Sequence, residues 1–183
     1  VNVLLTGERQ AGKTAVCKRV MGLARELGHD PAGVLTPVVL DKDGFPAIRY
    51  ALMVPDGEQR LLAQTNSDLG GPRTSRYSFD ANVFSWVVER LRGAISQDCD
   101  LLIVDEIGPL ELEQGRGLAP LLSDLSAGRH PRLLLVVRPE LTAQLHEQLP
   151  AIPFCTFTVT QDNRQTLADA IVKELFADHD PGR

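Results

Sequence analysis

Apolar positions along the chain switch repeatedly between two periods. Residues 1–6, Val-Asn-Val-Leu-Leu-Thr, form a short apolar and β-branched run, as expected of a buried parallel strand. Val16, Val20, Leu23 and Leu27 then fall on one helical stripe that Gly28 closes. Residues 33–40 read as a strand in which Pro37 marks an edge or an irregularity. The turn signals at 41–44 and 55–58 bracket a second strand at 45–54 and introduce a third at 59–64. Residues 33–64 are therefore expected to form an antiparallel β annex beside the main sheet.

Residues 66–78 are polar and rich in Gly, Ser and Arg, and predict a surface loop of the size that often carries function. Asp80 predicts an N-cap for a helix whose inner face is Phe84, Val87, Val88, Leu91 and Ile95, with Trp86 at its flank. The strand 101–104 ends on Asp105-Glu106, and a Pro- and Gly-containing loop spans 107–117. A helix at 118–127 turns Leu118, Leu121, Leu122 and Leu125 inward. A strand at 132–137, a Pro-initiated helix at 139–149 and a strand at 154–159 follow. Asp162 and Gln165 have capping-box spacing ahead of a helix through Leu167, Ile171 and Leu175. Residues 178–183 read as a frayed polar tail.

Strands alternating with helices predict an α/β fold with helices on both faces of a mainly parallel sheet. Ligands in such sheets bind beyond the carboxyl ends of the strands, which would gather Gly7, Asp105, Arg138 and Asn163 on one edge. The 183 residues suit one domain with a sizeable core. A 43% apolar and 23% charged composition is that of an ordinary globular chain. The net charge of -5 gives no support to nucleic-acid binding. The apolar runs are too short to insert in a bilayer, and no signal peptide is visible. Cys17, Cys99 and Cys155 are scattered in apolar surroundings, which suits buried free thiols in the cytoplasm rather than a metal site. The four histidines show no ligand spacing and read as surface residues.

One stretch changes the picture from fold to chemistry. Gly7-Glu8-Arg9-Gln10-Ala11-Gly12-Lys13-Thr14 matches the phosphate loop G-x-x-x-x-G-K-S/T in full, between a strand and a helix. Its glycines permit a tight turn and close approach of a ligand. Its N–H groups form an anion nest at the positive end of the helix dipole. Lys13 is expected to reach the β- and γ-phosphates and the Thr14 hydroxyl to hold Mg²⁺. The candidate nucleotide contacts are Gly7, Glu8, Arg9, Gln10, Ala11, Gly12, Lys13, Thr14 and Ala15, with Asn163 and Arg164 at the nucleotide's edge. Asp105, ending a strand in Walker B form, is the expected second holder of Mg²⁺. Glu106 beside it is placed to orient and deprotonate an attacking water. Catalysis is therefore assigned to Glu106 and Lys13.

Asp105-Glu106-Ile107-Gly108-Pro109-Leu110-Glu111-Leu112 closely resembles the D-E-I-G-x-M-E-L segment of the small P-loop nucleoside-triphosphatase family, cancer-related nucleoside triphosphatase-like. Weaker matches occur in the right order at 33–36, 44–45, 71–73, 76–77 and 163–167. The resemblance implies a RecA-like P-loop fold, Mg²⁺-dependent hydrolysis of nucleoside triphosphates with broad tolerance for the base, and Glu106 as the catalytic carboxylate. For Glu111 the resemblance implies support of the magnesium shell or positioning of the loop, against a plain helix-start or surface carboxylate. The chain departs from the family in its bulky Glu8-Arg9-Gln10 and in its apolar 37–40 segment. Arg73 and Arg138 read as solubilising surface residues. The competing functions are a small-molecule kinase with 66–78 as its lid, and a nucleotide-gated accessory protein for cofactor biosynthesis or transport, with a protein partner left open.

Overall fold

The computed structural model of the chain describes residues 1–54 and 56–177, so the expected tail, His179 and Pro55 of the second turn lie outside the described residues. Strand β1 (Asn2–Thr6) leads into helix α1 (Lys13–Glu26), followed by β2 (Pro31–Leu35), β3 (Val38–Leu40), β4 (Pro46–Val54), β5 (Gln59–Gln64) and β6 (Ser78–Phe79). Helix α2 (Ala81–Ser96), β7 (Leu101–Ile107) and the short α3 (Pro109–Leu112) come next. Then α4 (Ala119–Ala127), β8 (Arg132–Val137), α5 (Thr142–Gln148), β9 (Phe154–Thr158) and α6 (Leu167–Leu175) complete the order.

These strands form one sheet in the order β6-β5-β4-β2-β7-β8-β1-β9, with β3 attached to β4. From β2 to β9 the pairing is parallel, and from β2 to β6 it is antiparallel. Strand β2 belongs to both halves: Gly33 pairs with Ile103 on one side and Val54 on the other. The strand expected at 33–40 is broken at Thr36-Pro37. Pro37 has no N–H to give a ladder, and the Thr36 N–H leaves the sheet to donate to Asp105 Oδ2 at 3.2 Å.

Helices α1 and α6 cover one face, where Val16, Cys17, Val20, Ile171 and Leu175 pack with Val3, Leu5, Ile103 and Leu134. Helices α2, α4 and α5 cover the other, where Val87, Leu91, Leu121 and Leu145 pack with Leu4, Leu102, Leu133 and Leu135. Successive strand residues thus serve opposite cores, which is why β1, β7 and β8 read as unbroken apolar runs. Each such side chain contributes about 1.5–3 kcal/mol by leaving water.

The α2 cap forms as expected, with Asp80 Oδ1 accepting from the N–H groups of Asn82 (2.8 Å) and Val83 (3.3 Å). The capping box at α6 does not. Residues 161–166 form turns, and α6 starts after Thr166 with no side-chain cap. Asn163 winds this turn instead, accepting from Thr160 N–H at 2.8 Å and donating to the Thr158 carbonyl at 2.9 Å. The three thiols are free, Cys17 and Cys99 buried and Cys155 half-buried. His29 is not a surface residue: its ring stacks on Phe176 at 3.7 Å and its side chain is 11% exposed. No helix among the described residues is long and apolar enough to cross a membrane.

Candidate nucleotide site

The loop after β1 is wound by positive φ angles at Gly7 (143°), Gln10 (61°) and Gly12 (104°). A Cβ at Gly7 would lie 2.6 Å from the carbonyl oxygen of Val159, so only glycine fits where the loop passes the end of β9. Lys13, at the first turn of α1, folds back and donates Nζ–H bonds to the carbonyls of Gly7 (2.6 Å) and Glu8 (2.8 Å). The ammonium therefore fastens the loop with two of its donors and keeps one for a ligand. Ala11 is buried, whereas Glu8, Arg9, Gln10 and Ala15 are exposed. The Arg164 side chain runs along the loop, its Cδ 3.4 Å from where a Cβ on Gly12 would stand. Both ends of the Asn163 amide are spent on its own turn.

Strand order decides how the second half of the site meets the first. Strand β8 lies between β1 and β7, yet the Thr14 side chain comes close enough to Asp105 across that gap to favour its ionised form. Asp105 is 2% exposed. Burial pushes its carboxyl above the usual range, against the Thr14 hydroxyl and the Thr36 N–H, which favour the ionised form. The Asp105–Glu106 peptide bond is cis. Glu106 Oε1 accepts from Arg138 Nε at 2.9 Å, and Oε2 lies 3.5 Å from Arg49 Nη1. Arg49 also donates to Thr36 Oγ1 at 3.4 Å and sits over the Tyr77 ring at 5.3 Å.

A phosphate loop, a Thr–Asp pair and a flanking glutamate on one sheet edge are the parts of a nucleotide-hydrolysing site. A family model described as NTPase matches residues 2–172. The chain belongs to this NTPase family. A relative from Methanopyrus kandleri named nucleoside-triphosphatase THEP1 is 30% identical over 180 residues, 96% of this chain and 95% of the relative. One of the same name from Methanocaldococcus jannaschii is 23% identical over 97% of this chain and 98% of its own length. Among solved structures, the crystal structure of THEP1 from Aquifex aeolicus has a TM-score of 0.73 at 18% identity, covering 96% of this chain and 99% of that one. The solution structure of a human cancer-related nucleoside triphosphatase has a TM-score of 0.69 at 22% identity, covering 100% and 98%. The fold is thus that of the P-loop NTPases.

In this NTPase chain the segment after Glu106 is organised by Glu111, which is 4% exposed. Its Oε2 accepts from Gly108 N–H at 2.9 Å and its Oε1 from Leu118 N–H at 3.0 Å. Glu111 is therefore no surface carboxylate: it caps the start of α3 and positions the segment that leads to α4. Arg73 pairs with Asp68 inside the 66–78 loop, and Arg76 is exposed. Arg138, expected at the surface, is drawn to Glu106 because β8 ends beside β7. Arg49 was not singled out in the sequence, although a lone cation inside the apolar strand 45–54 is the signal that marks it.

The donors available for a cation are one hydroxyl and one buried carboxylate, and no cluster of three or more His, Cys, Asp or Glu side chains exists among the described residues. That sparse oxygen set fits Mg²⁺, which keeps most of its water and takes one or two protein ligands plus substrate phosphates.

Proposed function

We propose that the chain hydrolyses nucleoside triphosphates to diphosphate and inorganic phosphate, with Mg²⁺ as cofactor held by Thr14 and Asp105. The observation that carries this reading is the approach of the Thr14 side chain to the buried Asp105, which sets the phosphate loop beside the acidic strand end. The loop N–H groups and Lys13 bind and orient the phosphate chain. Bound at Thr14 and Asp105, the metal would neutralise charge on the β- and γ-phosphates. Glu106 takes a proton from the attacking water while an O–P bond forms and the bond to the diphosphate breaks. Arg164 lies where it can flank the nucleotide. The Gly7, Glu8, Arg9, Gln10, Gly12 and Ala15 contacts run through the backbone of the loop. The net charge of -5 argues against a nucleic-acid partner, and the free thiols suit the cytoplasm.

Phosphate release from ATP, GTP, CTP and UTP, with and without Mg²⁺, tests the reading. Turnover on several bases that vanishes with chelator is the expected result. Glu106→Gln should retain nucleotide affinity and lose roughly 10²–10⁴-fold in kcat. Equal turnover in that variant and the parent would remove Glu106 from the chemistry. Phosphate transfer that appears only with an added acceptor would favour the kinase instead.

A further inference from the structure

Glu106 is held between two arginines, which restrict how a water molecule can approach it as a general base. Each of its oxygens faces a different guanidinium, Arg138 at 2.9 Å and Arg49 at 3.5 Å, and its side chain is 14% exposed. A guanidinium on each oxygen takes up part of the carboxylate's four lone-pair sites and narrows the room for a water molecule.

The two contacts are unequal. Arg138 makes a hydrogen bond of normal length from the end of β8, a strand of the parallel core. Arg49 makes only a long ion pair, and it comes from β4 in the antiparallel half. Its strand is irregular on both sides. Against β5 the register shifts between Arg49 and Tyr50, and against β3 it shifts between the partners of Val39 and Leu40. Such irregularities re-aim side chains beside active sites. The guanidinium keeps two further supports, Thr36 Oγ1 and the Tyr77 ring, and Thr36 in turn donates its N–H to Asp105. Arg49 thus reaches Glu106 and lies one residue from the carboxylate assigned to the metal, with a stacked anchor that does not depend on Glu106.

We propose that Arg49 is a triphosphate sensor: it rests on Glu106 Oε2, moves to the terminal phosphate when one is bound, and so frees that oxygen to accept the proton of the attacking water. This rests on the hydrolytic reading above. A terminal phosphate offers more negative charge and a bidentate acceptor, so it competes well for the weaker partner of Glu106. Arg138 stays on Oε1 and holds the carboxylate in place. The step balances within the site: water loses a proton to Oε2, its oxygen bonds the terminal phosphorus, and the bridging oxygen leaves with the electron pair as the diphosphate. The transferred guanidinium meets the charge that spreads over the phosphoryl oxygens. A bound diphosphate has no γ-phosphate to draw Arg49 away, so the base stays capped.

The test compares the parent with Arg49→Met and Arg49→Lys. It measures kcat and KM for ATP, and the dissociation constants of ADP and of a non-hydrolysable ATP analogue, all with Mg²⁺. Arg49→Met should lose about 100-fold or more in kcat, with KM for ATP rising about tenfold in step with the affinity for the triphosphate. The preference for the analogue over ADP should drop about tenfold, with Arg49→Lys between the two. Lys keeps the charge and the fold even if Met lowers stability. A kcat for Arg49→Met within about threefold of the parent overturns the proposal. So does a parallel loss of both affinities that leaves their ratio unchanged, since a purely structural arginine would act that way. If the parent releases no phosphate at all, the hydrolytic reading falls first, and the affinity ratio still decides whether Arg49 senses the terminal phosphate.

Discussion

Gly7 carries two constraints that no other side chain satisfies together. Its φ of 143° lies where L-residues are strained, and the Val159 carbonyl fills the space a Cβ needs. Gly7→Ala should therefore cost roughly 1–3 kcal/mol of folding stability, read as a lower urea midpoint, and should weaken nucleotide binding as well. Gly7, Lys13, Thr14, Asp105 and Glu106 were legible in the sequence because their chemistry is written in contiguous spacings. Arg49 and Arg138 were not. Each is a single cation in an apolar stretch, and what makes it a partner of Glu106 is the neighbouring strand end rather than the residues next to it. From the sequence Arg138 reads as solubilising, and only the adjacency of β7 and β8 reverses that.

At the scale of elements, local signals worked where the bond they describe stays local. Asp80→Ala should cost about 1 kcal/mol, because two N–H groups of α2 lose their acceptor. Asp162→Ala and Gln165→Ala should each stay within about 0.5 kcal/mol, because neither makes a capping bond at α6. Denaturant unfolding of the three variants separates the two cases. The strand expected at 33–40 divided into β2 and β3 for a nonlocal reason: Asp105, far along the chain, claims the Thr36 N–H. The two-residue β6 and the short α3 were also illegible. Strand β6 exists through its pairing with β5, and α3 is bounded by the bond between Glu111 and Gly108. Neither leaves a period long enough to read.

Over the whole molecule, buried acids tie stability to pH. Burial pushes Glu111 from 4.5 up to about 7, and moves Asp105 in the same direction. A group whose folded pKa is raised binds its proton more tightly in the folded state. Its contribution is complete below about 4.5 and is lost as pH rises through about 7. Unfolding free energy should fall by roughly 3 kcal/mol through Glu111 between about pH 4 and 8. Glu111→Gln should remove the part of that slope that belongs to Glu111 and leave the part from Asp105; an unchanged slope in urea titrations would place the titrating group elsewhere. The buried strands make the fold readable. Alternating periods specified a layered α/β chain, and the contiguous loop and acid pair specified phosphate chemistry, because both depend on residues close together in sequence. Strand order, the placing of β8 between the loop and the acid strand, and the two arginines that meet Glu106 were decided only by tertiary structure. They join residues whose separation along the chain leaves no local pattern, and it is the packing of both faces of the sheet that selects their neighbours.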